Sequence, residues 1–417
     1  MQRYSLRARV IASFAFSSVK QCPLRYASTA TTVEKPGERL RILFCGSDQF
    51  SACSLRALAK YASSLESNIE SVDVVTRNDK WTGRGLRRLE SPPVKQVAQE
   101  LELPLHQIDT FTGWSPPIYD ETSKPPSVVN LIVAVSFGLL VPPRILRGAT
   151  YGGLNVHPSL LPQFKGAAPI QWTILHGLKN TGVSLQTLHD SKFDEGLVLD
   201  SVAVSIEDPH TCTYVQLREQ LGHVGAELLV KGIQEKRYLS HKPTPSTNEQ
   251  EASYAPKLSN RHMSINPGLH NAGQIVRMRR AFGKLWAYAE DWDGQQVRLI
   301  LGRVYAQETH ELLSEAIDIV ASIPTGVPYS VIENGQDMRQ TDQPLRLNTT
   351  DGLLIIDTMT VAGSRLGNAT ASAAKWGLLK HYATFRDTSG KKSDVYKFCG
   401  PLRGEYDGLP TVSGARD

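Results

Sequence analysis

The 417-residue sequence predicts a doubly wound, mostly parallel α/β domain followed by a smaller β-barrel domain. Three observations carry this. Apolar strands alternate with helically spaced segments through the first half, a polar stretch rich in Pro, Ser, Thr, Gln and Glu covers residues 236–256, and short alternating pieces separated by Gly and Asp turns follow it. With 41% hydrophobic and 21% charged residues, the chain is not disordered as its main state. Its five cysteines, Cys22, Cys45, Cys53, Cys212 and Cys399, are scattered and never form a C-x-x-C pair, which excludes a disulfide scaffold and a zinc spacing and reads as reduced thiols. No stretch of about 20 apolar residues is present to span a membrane.

The elements follow in order. Leu40–Phe44 is an apolar strand running into Gly46, Phe50–Tyr61 has helical apolar spacing, and Val72–Val75 is a second strand. A basic, Gly-containing loop occupies Arg77–Glu90, and Pro92 and Pro93 open a helix ending near Glu102. Val128–Val135 is a continuous apolar run whose β-branching favours a strand buried on both faces. Leu154–Val156 and Val183–Leu188 read as strands flanking a helix at Ile170–Leu178. Beyond the linker come a helix at Ala272–Phe282 and strands at Leu285–Tyr288, Gln296–Leu301 and Leu353–Thr358. The expected organisation is a leader (1–33), a Rossmann-like domain (38–235), the linker (236–256), an OB-like barrel domain (257–400) and a tail (401–417).

The charge of +5 is unevenly placed, because residues 1–33 carry Arg3, Arg7, Arg9, Lys20 and Arg25 and no acid. An Arg-rich, Ser-bearing, acid-free leader has the composition of a mitochondrial transit peptide, which predicts a matrix protein of zero net charge after cleavage. The first βα turn, Gly46-Ser47-Asp48-Gln49-Phe50-Ser51, lacks the G-x-G-x-x-G spacing that lets a pyrophosphate approach the backbone. The chain also has no G-x-S-x-G elbow and no P-loop.

The chemistry concentrates in Gly153-Leu154-Asn155-Val156-His157-Pro158-Ser159-Leu160-Leu161-Pro162. Asn155 and His157 are two apart on a strand, hence on one face, at the carboxyl edge where open α/β sheets place ligands. An amide beside an imidazole suits the oxyanion of an acyl-transfer intermediate. Asp194, in the turn Phe193-Asp194-Glu195-Gly196, is within reach of the same edge to orient His157 and relay a proton. Spacing alone fits a capping or core-satisfied pair better, and Asp before a turn Gly is by default a turn former.

Asn155–Pro162, then Lys165-Gly166-Ala167-Ala168-Pro169-Ile170, Thr181-Gly182-Val183 and Asp194-x-Gly196 together resemble the formyltransferase family that uses 10-formyltetrahydrofolate. Within it, the Ala167–Gln171 helix start, the inserted loop Thr82-Gly83-Arg84-Gly85-Leu86 and Ser136-Phe137-Gly138-Leu139-Leu140-Val141-Pro142 are similar to methionyl-tRNA formyltransferases. The likeness implies catalytic Asn155, His157 and Asp194, with a folate pocket formed by Ser159, Leu160, Leu161 and Pro162 together with Ser136 and Gly138. It implies initiator methionyl-tRNA as partner, contacted by Arg84, Arg87 and Arg88, and no metal. A monomer is expected. Residues 77–95 hold six basic against two acidic side chains, which suits phosphate contact as well as it suits a solvated loop. Arg277, Arg279, Arg280 and Lys284 form a second basic cluster, within a C-terminal part that is only +2 overall, from nineteen basic and seventeen acidic residues. A folate-dependent formyl hydrolase, formyl transfer to a small amine, and an idle tRNA-binding protein are the alternative readings.

Overall fold

The computed structural model describes residues 39–83, 85–120, 127–240, 252–307, 317–333, 335–361, 363–386 and 391–405. The expected leader, Arg84, most of the linker and most of the tail lie outside them. In the first half the chain forms β1 (Leu40–Gly46), α1 (Gln49–Ala62), β2 (Ile69–Thr76), β3 (Lys80–Thr82), β4 (Arg88–Glu90), α2 (Pro93–Glu100), β5 (Leu105–Gln107), β6 (Ile118–Asp120), β7 (Ser127–Val128) and β8 (Leu131–Val135). Then come α3 (Pro143–Leu146), β9 (Gly153–His157), α4 (Pro169–Leu175), β10 (Asn180–Thr187), β11 (Val198–Ser205) and α5 (Tyr214–Gln234).

Seven strands make one sheet in the order β11-β10-β9-β8-β1-β2-β5. Its strands from β9 to β5 run parallel, and β10 and β11 are antiparallel additions beside β9. Along β1, Ile42 and Phe44 enter one apolar cluster while Leu43 and Cys45 enter another, and β8 divides its residues in the same way. Both faces are therefore covered, which is why these strands read as unbroken apolar runs. Helices α1, α2 and α5 pack together over the first face; residues Ile108–Phe111 and α3 cover the second. α5 is absent from the sequence reading; its start is fixed by a capping box in which Thr213 and Gln216 satisfy each other's backbone N–H groups.

Three other elements differ from the reading. The expected strand Leu353–Thr358 breaks at Asp357, which divides it between strands of two different sheets. The run Val128–Val135 is broken, because the Asn130 side chain bonds the backbone of the strand beside it, accepting from Arg41 N at 2.8 Å and donating to Arg39 O at 2.9 Å. The basic loop contains a hairpin, with β3 paired antiparallel to β4.

The C-terminal half holds α6 (Ala272–Phe282), β12 (Leu285–Glu290), β13 (Gln296–Leu301), β14 (Val304–Gln307), α7 (Ile317–Ala321), β15 (Pro328–Glu333), β16 (Leu345–Asn348) and β17 (Leu353–Ile356). It ends with β18 (Thr358–Val361), β19 (Gly367–Asn368), α8 (Ala369–Lys375), β20 (Lys380–Arg386) and β21 (Lys392–Lys397). These strands form two antiparallel sheets, β12-β13-β18-β19 and β14-β17-β16-β15-β21-β20. The described residues from 39 onward belong to one compact unit, and the apolar interior is continuous from the α/β sheet through α4 and α6 into the C-terminal sheets.

The arginines of α6 explain part of that continuity. Arg277 donates to Leu175 O at 3.1 Å, and Arg280 donates to Pro209 O and Cys212 O at 2.6 and 3.0 Å. Arg279 is turned to Gly302 O within its own half. The cluster that reads as a basic patch thus ties helix ends and loops together, and burial lowers the pKa of all three guanidinium groups. Trp172 of α4, almost wholly buried, donates from Nε1 to Pro256 O at 3.0 Å at the same junction. Trp172→Ala should lower the unfolding free energy by about 3–5 kcal/mol, read as a reduced urea midpoint.

Candidate active site

Strand β9 ends on Asn155 and His157, and β10 lies against it with Gln186 opposite Asn155 and Ser184 opposite His157. After β10 the chain turns back at Asp194, which sits at φ +53, a left-handed conformation that Asp tolerates better than most residues. Gly196 completes the turn, since a Cβ there would fall 1.7 Å from Thr187 O. Thr187 N bonds Leu197 O at 2.9 Å and Leu197 N bonds Thr187 Oγ1 at 2.9 Å, closing the loop and setting Asp194 above the end of β9.

The three side chains named from sequence therefore meet. Asp194 Oδ1 accepts from Asn155 Nδ2 at 3.2 Å and lies 3.4 Å from His157 Nδ1; Oδ2 accepts from Gly166 N at 2.8 Å. The His157 and Asp194 side chains are only 6% and 9% exposed, so their charges are little screened by water. His157 Nε2 lies 2.9 Å from Phe164 O. A carbonyl only accepts, so Nε2 carries the hydrogen, and Nδ1 is the nitrogen left toward Asp194 and the site.

Gln186 is a fourth member that the sequence reading missed. Its Nε2 donates to Asp194 Oδ1 at 3.1 Å, and its Oε1 is buried without a hydrogen-bond partner. The reversed amide would set oxygen against carboxylate, so this orientation is chemically dictated. Its only sequence signal is a polar residue at an inward position of a buried strand, paired across from Asn155.

The expected folate-pocket residues divide into two sets. Ser159, Leu160 and Leu161 are buried; Ser159 Oγ donates to Gln163 O at 2.6 Å, and Ser184 Oγ ties the same loop through Ser159 O and Leu161 N at 2.8 and 3.0 Å. Pro162 is half-buried, while Ser136 and Gly138 stand exposed at φ +45 and +74 where β8 ends. A cavity of about 420 Å³ opens beyond them, between Thr110–Gly113 and Leu139, Leu140, Pro142 and Arg144. None of the six expected residues lines it.

Asp48 lies at the reversal in strand order, between the ends of β1 and β8, and caps α1 by accepting from Ser51 N at 2.9 Å. Burial pushes its carboxyl above the ordinary range, against the opposing pull of Ser51, Arg218 and Ser136.

The hairpin β3–β4 leaves the carboxyl end of β2 and exposes Trp81, Leu86 and Leu89. Its positive field is smaller than the six-to-two count implies. Arg77 pairs with Asp109 at 3.1 Å, Lys95 with Asp79 at 2.6 Å, and Arg88 with Glu90. Asp109 comes from outside the counted segment. Arg87 and Lys80 are exposed. Among the described residues no group of three or more His, Cys, Asp or Glu side chains could hold a metal ion.

A buried carboxylate with a raised pKa costs stability once pH exceeds the unfolded-state value, because the unfolded chain ionises first. Asp48→Asn, which keeps a capping side chain, should therefore raise Tm at neutral pH. The gain should shrink as pH falls through the raised carboxyl pKa and disappear only below about 3, under the unfolded-state value, where both states are protonated; thermal melts across that range check it.

Residues 40–233 match the formyl transferase family, a segment that starts with β1 and stops at the end of α5. The mitochondrial methionyl-tRNA formyltransferase of Saccharomyces cerevisiae is 32% identical over 298 residues, covering 64% of this chain and 73% of its own. The methionyl-tRNA formyltransferase of Nitrosomonas europaea is 30% identical over 306 residues, covering 73% and 88%. Among solved structures, the sugar 3N-formyl transferase WlaRD aligns with 79% of this chain and 100% of its own at 18% identity and TM-score 0.46. Both curated alignments outrun the matched segment, so the likeness continues from the catalytic half into the C-terminal half, and the chain belongs to the methionyl-tRNA formyltransferase family.

Proposed function

We propose that this chain moves the formyl group of 10-formyltetrahydrofolate to the α-amino group of initiator methionyl-tRNA in the mitochondrial matrix. The reading rests on one observation above all: an amide, an imidazole and a carboxylate converge at the carboxyl edge of the sheet, two of them nearly excluded from water. The acid-free leader and the mitochondrial yeast relative support the compartment.

In the reaction the amine nitrogen attacks the formyl carbon, and the carbonyl electrons move to oxygen. Asn155 has two amide hydrogens and uses one on Asp194, so the other is available to the oxyanion. With Nε2 committed to Phe164 O, His157 donates from Nδ1 only as imidazolium, which puts a positive charge beside the oxyanion where it forms. Asp194 takes the proton released by the amine, and a proton returns to N10 as the C–N10 bond breaks. No covalent enzyme intermediate is required. Ser136, Gly138, Pro162 and the neighbouring cavity receive the folate, with Ser159, Leu160 and Leu161 shaping the wall from behind. Arg87 and Arg88 of the hairpin, together with Arg84, contact tRNA phosphates.

Acid-gel separation of methionyl-tRNA from its formylated product tests this. Asn155→Ala should lower kcat by about 10²–10³-fold, as for loss of one oxyanion donor. Gln186→Leu should lower it by about tenfold through a misplaced Asp194. Arg87→Ala should raise KM for tRNA and leave KM for the folate unchanged. Release of free formate with no formylated tRNA from the unaltered chain would replace this reading with a hydrolase.

A further inference from the structure

The last residues of the expected linker, 253–256, are not a free connection: they bond to the α/β half. Tyr254 forms a parallel β-bridge with Lys165, through Lys165 N to Ser253 O at 2.9 Å and Ala255 N to Lys165 O at 2.7 Å. Phe164 N donates to Ser253 Oγ at 2.9 Å. Ser253 N reaches Pro162 O and Ala168 N reaches Ala255 O, each at 3.3 Å.

These bonds alternate along the loop with the two backbone groups that hold the catalytic trio. Phe164 O, which anchors His157 Nε2, lies between the strap bonds at Phe164 N and Lys165 N. Gly166 N, which holds Asp194 Oδ2, lies between those at Lys165 O and Ala168 N. The loop has little reason to keep this shape unaided. Phe164 sits at φ +53, rare for a bulky residue, and such conformations persist where surroundings over-determine them. Gly166, at φ +112, has no room for a Cβ, which would lie 2.7 Å from both Ala255 O and the Tyr254 ring.

We propose that Ser253–Ala255 is a positioning strap: it fixes the Phe164–Gly166 backbone and through it the placement of His157 and Asp194, with Ser253 its key side chain. This rests on the reading of Asn155, His157 and Asp194 as the formyl-transfer centre. Neither Ser253 nor Tyr254 touches the reacting atoms in this role. The strap lies at the end of the expected linker (236–256) and precedes the C-terminal sheets, so geometry at the catalytic loop depends on a segment outside the matched formyl transferase region, residues 40–233.

The test compares the purified full chain with Ser253→Ala and Ser253→Thr. Ser253→Ala should lower kcat about tenfold through misplacement of the trio, with KM for folate and tRNA within about twofold. Ser253→Thr, which keeps the hydroxyl, should restore kcat. Deuterium exchange at residues 163–168 should speed up in the alanine variant alone, and the His157 ring chemical shifts followed by NMR should move with it. Unchanged kcat in Ser253→Ala, or a loss that threonine does not restore, overturns the strap. If the unaltered chain makes no formyl-methionyl-tRNA, the functional reading fails; the exchange and the ring chemical shifts then decide the strap by themselves, and no change in either overturns it.

Discussion

The Asp194 carboxylate gathers donors from three separate parts of the chain, and the geometry of the site follows from satisfying it. Asn155 comes from β9, Gln186 from β10 and Gly166 N from the loop before α4, while His157 Nδ1 stands within ion-pair reach. A nearly buried carboxylate left without such donors would cost several kcal/mol. The fold supplies them by adding two antiparallel strands beside the parallel sheet, so that the turn between β10 and β11 folds back over the end of β9. Gly196 permits the tight return, and the Thr187–Leu197 pair holds it.

Support for this arrangement extends into the second half of the molecule. Arg277 and Arg280 satisfy carbonyls of the α/β half from α6, and Trp172 donates back across the same junction to Pro256 O. Each guanidinium loses hydration there and regains hydrogen bonds to carbonyls, which suits the planar, multiply donating Arg better than Lys. The junction is thus polar at its edge and apolar within, where α4 and α6 pack. Cations that serve this structural purpose are not available as a nucleic-acid surface, which leaves the hairpin beyond β2 as the more open basic element.

Much of the catalytic half is legible along the chain because its signals are local. Apolar runs with β-branching mark β1, β2 and β8, and a two-residue period puts Asn155 and His157 on one face. Asp194 is legible as a turn residue, but its meeting with His157 rests on the resemblance, since residues so far apart in sequence carry no shared periodicity. Gln186 shows locally only as a polar residue at an inward position of a buried strand; its role exists because β10 runs antiparallel to β9 with Gln186 opposite Asn155. Asn130 likewise interrupts an apolar run because a backbone edge happens to face it. Charge counting misleads where partners come from elsewhere, as with Asp109 beside Arg77 and the carbonyls that meet the α6 arginines.

By itself the sequence determined the alternation of strands and helices, the division into an α/β half and an antiparallel half, and the residue types available for acyl transfer. Those follow from propensity and hydrophobic period, which act over a few residues. Only the tertiary structure decided which donors reach Asp194, which ring nitrogen of His157 faces the site, and which arginines remain exposed. Each of these depends on a partner brought from tens of residues away, and hydrogen bonds form or fail over distances of about 3 Å.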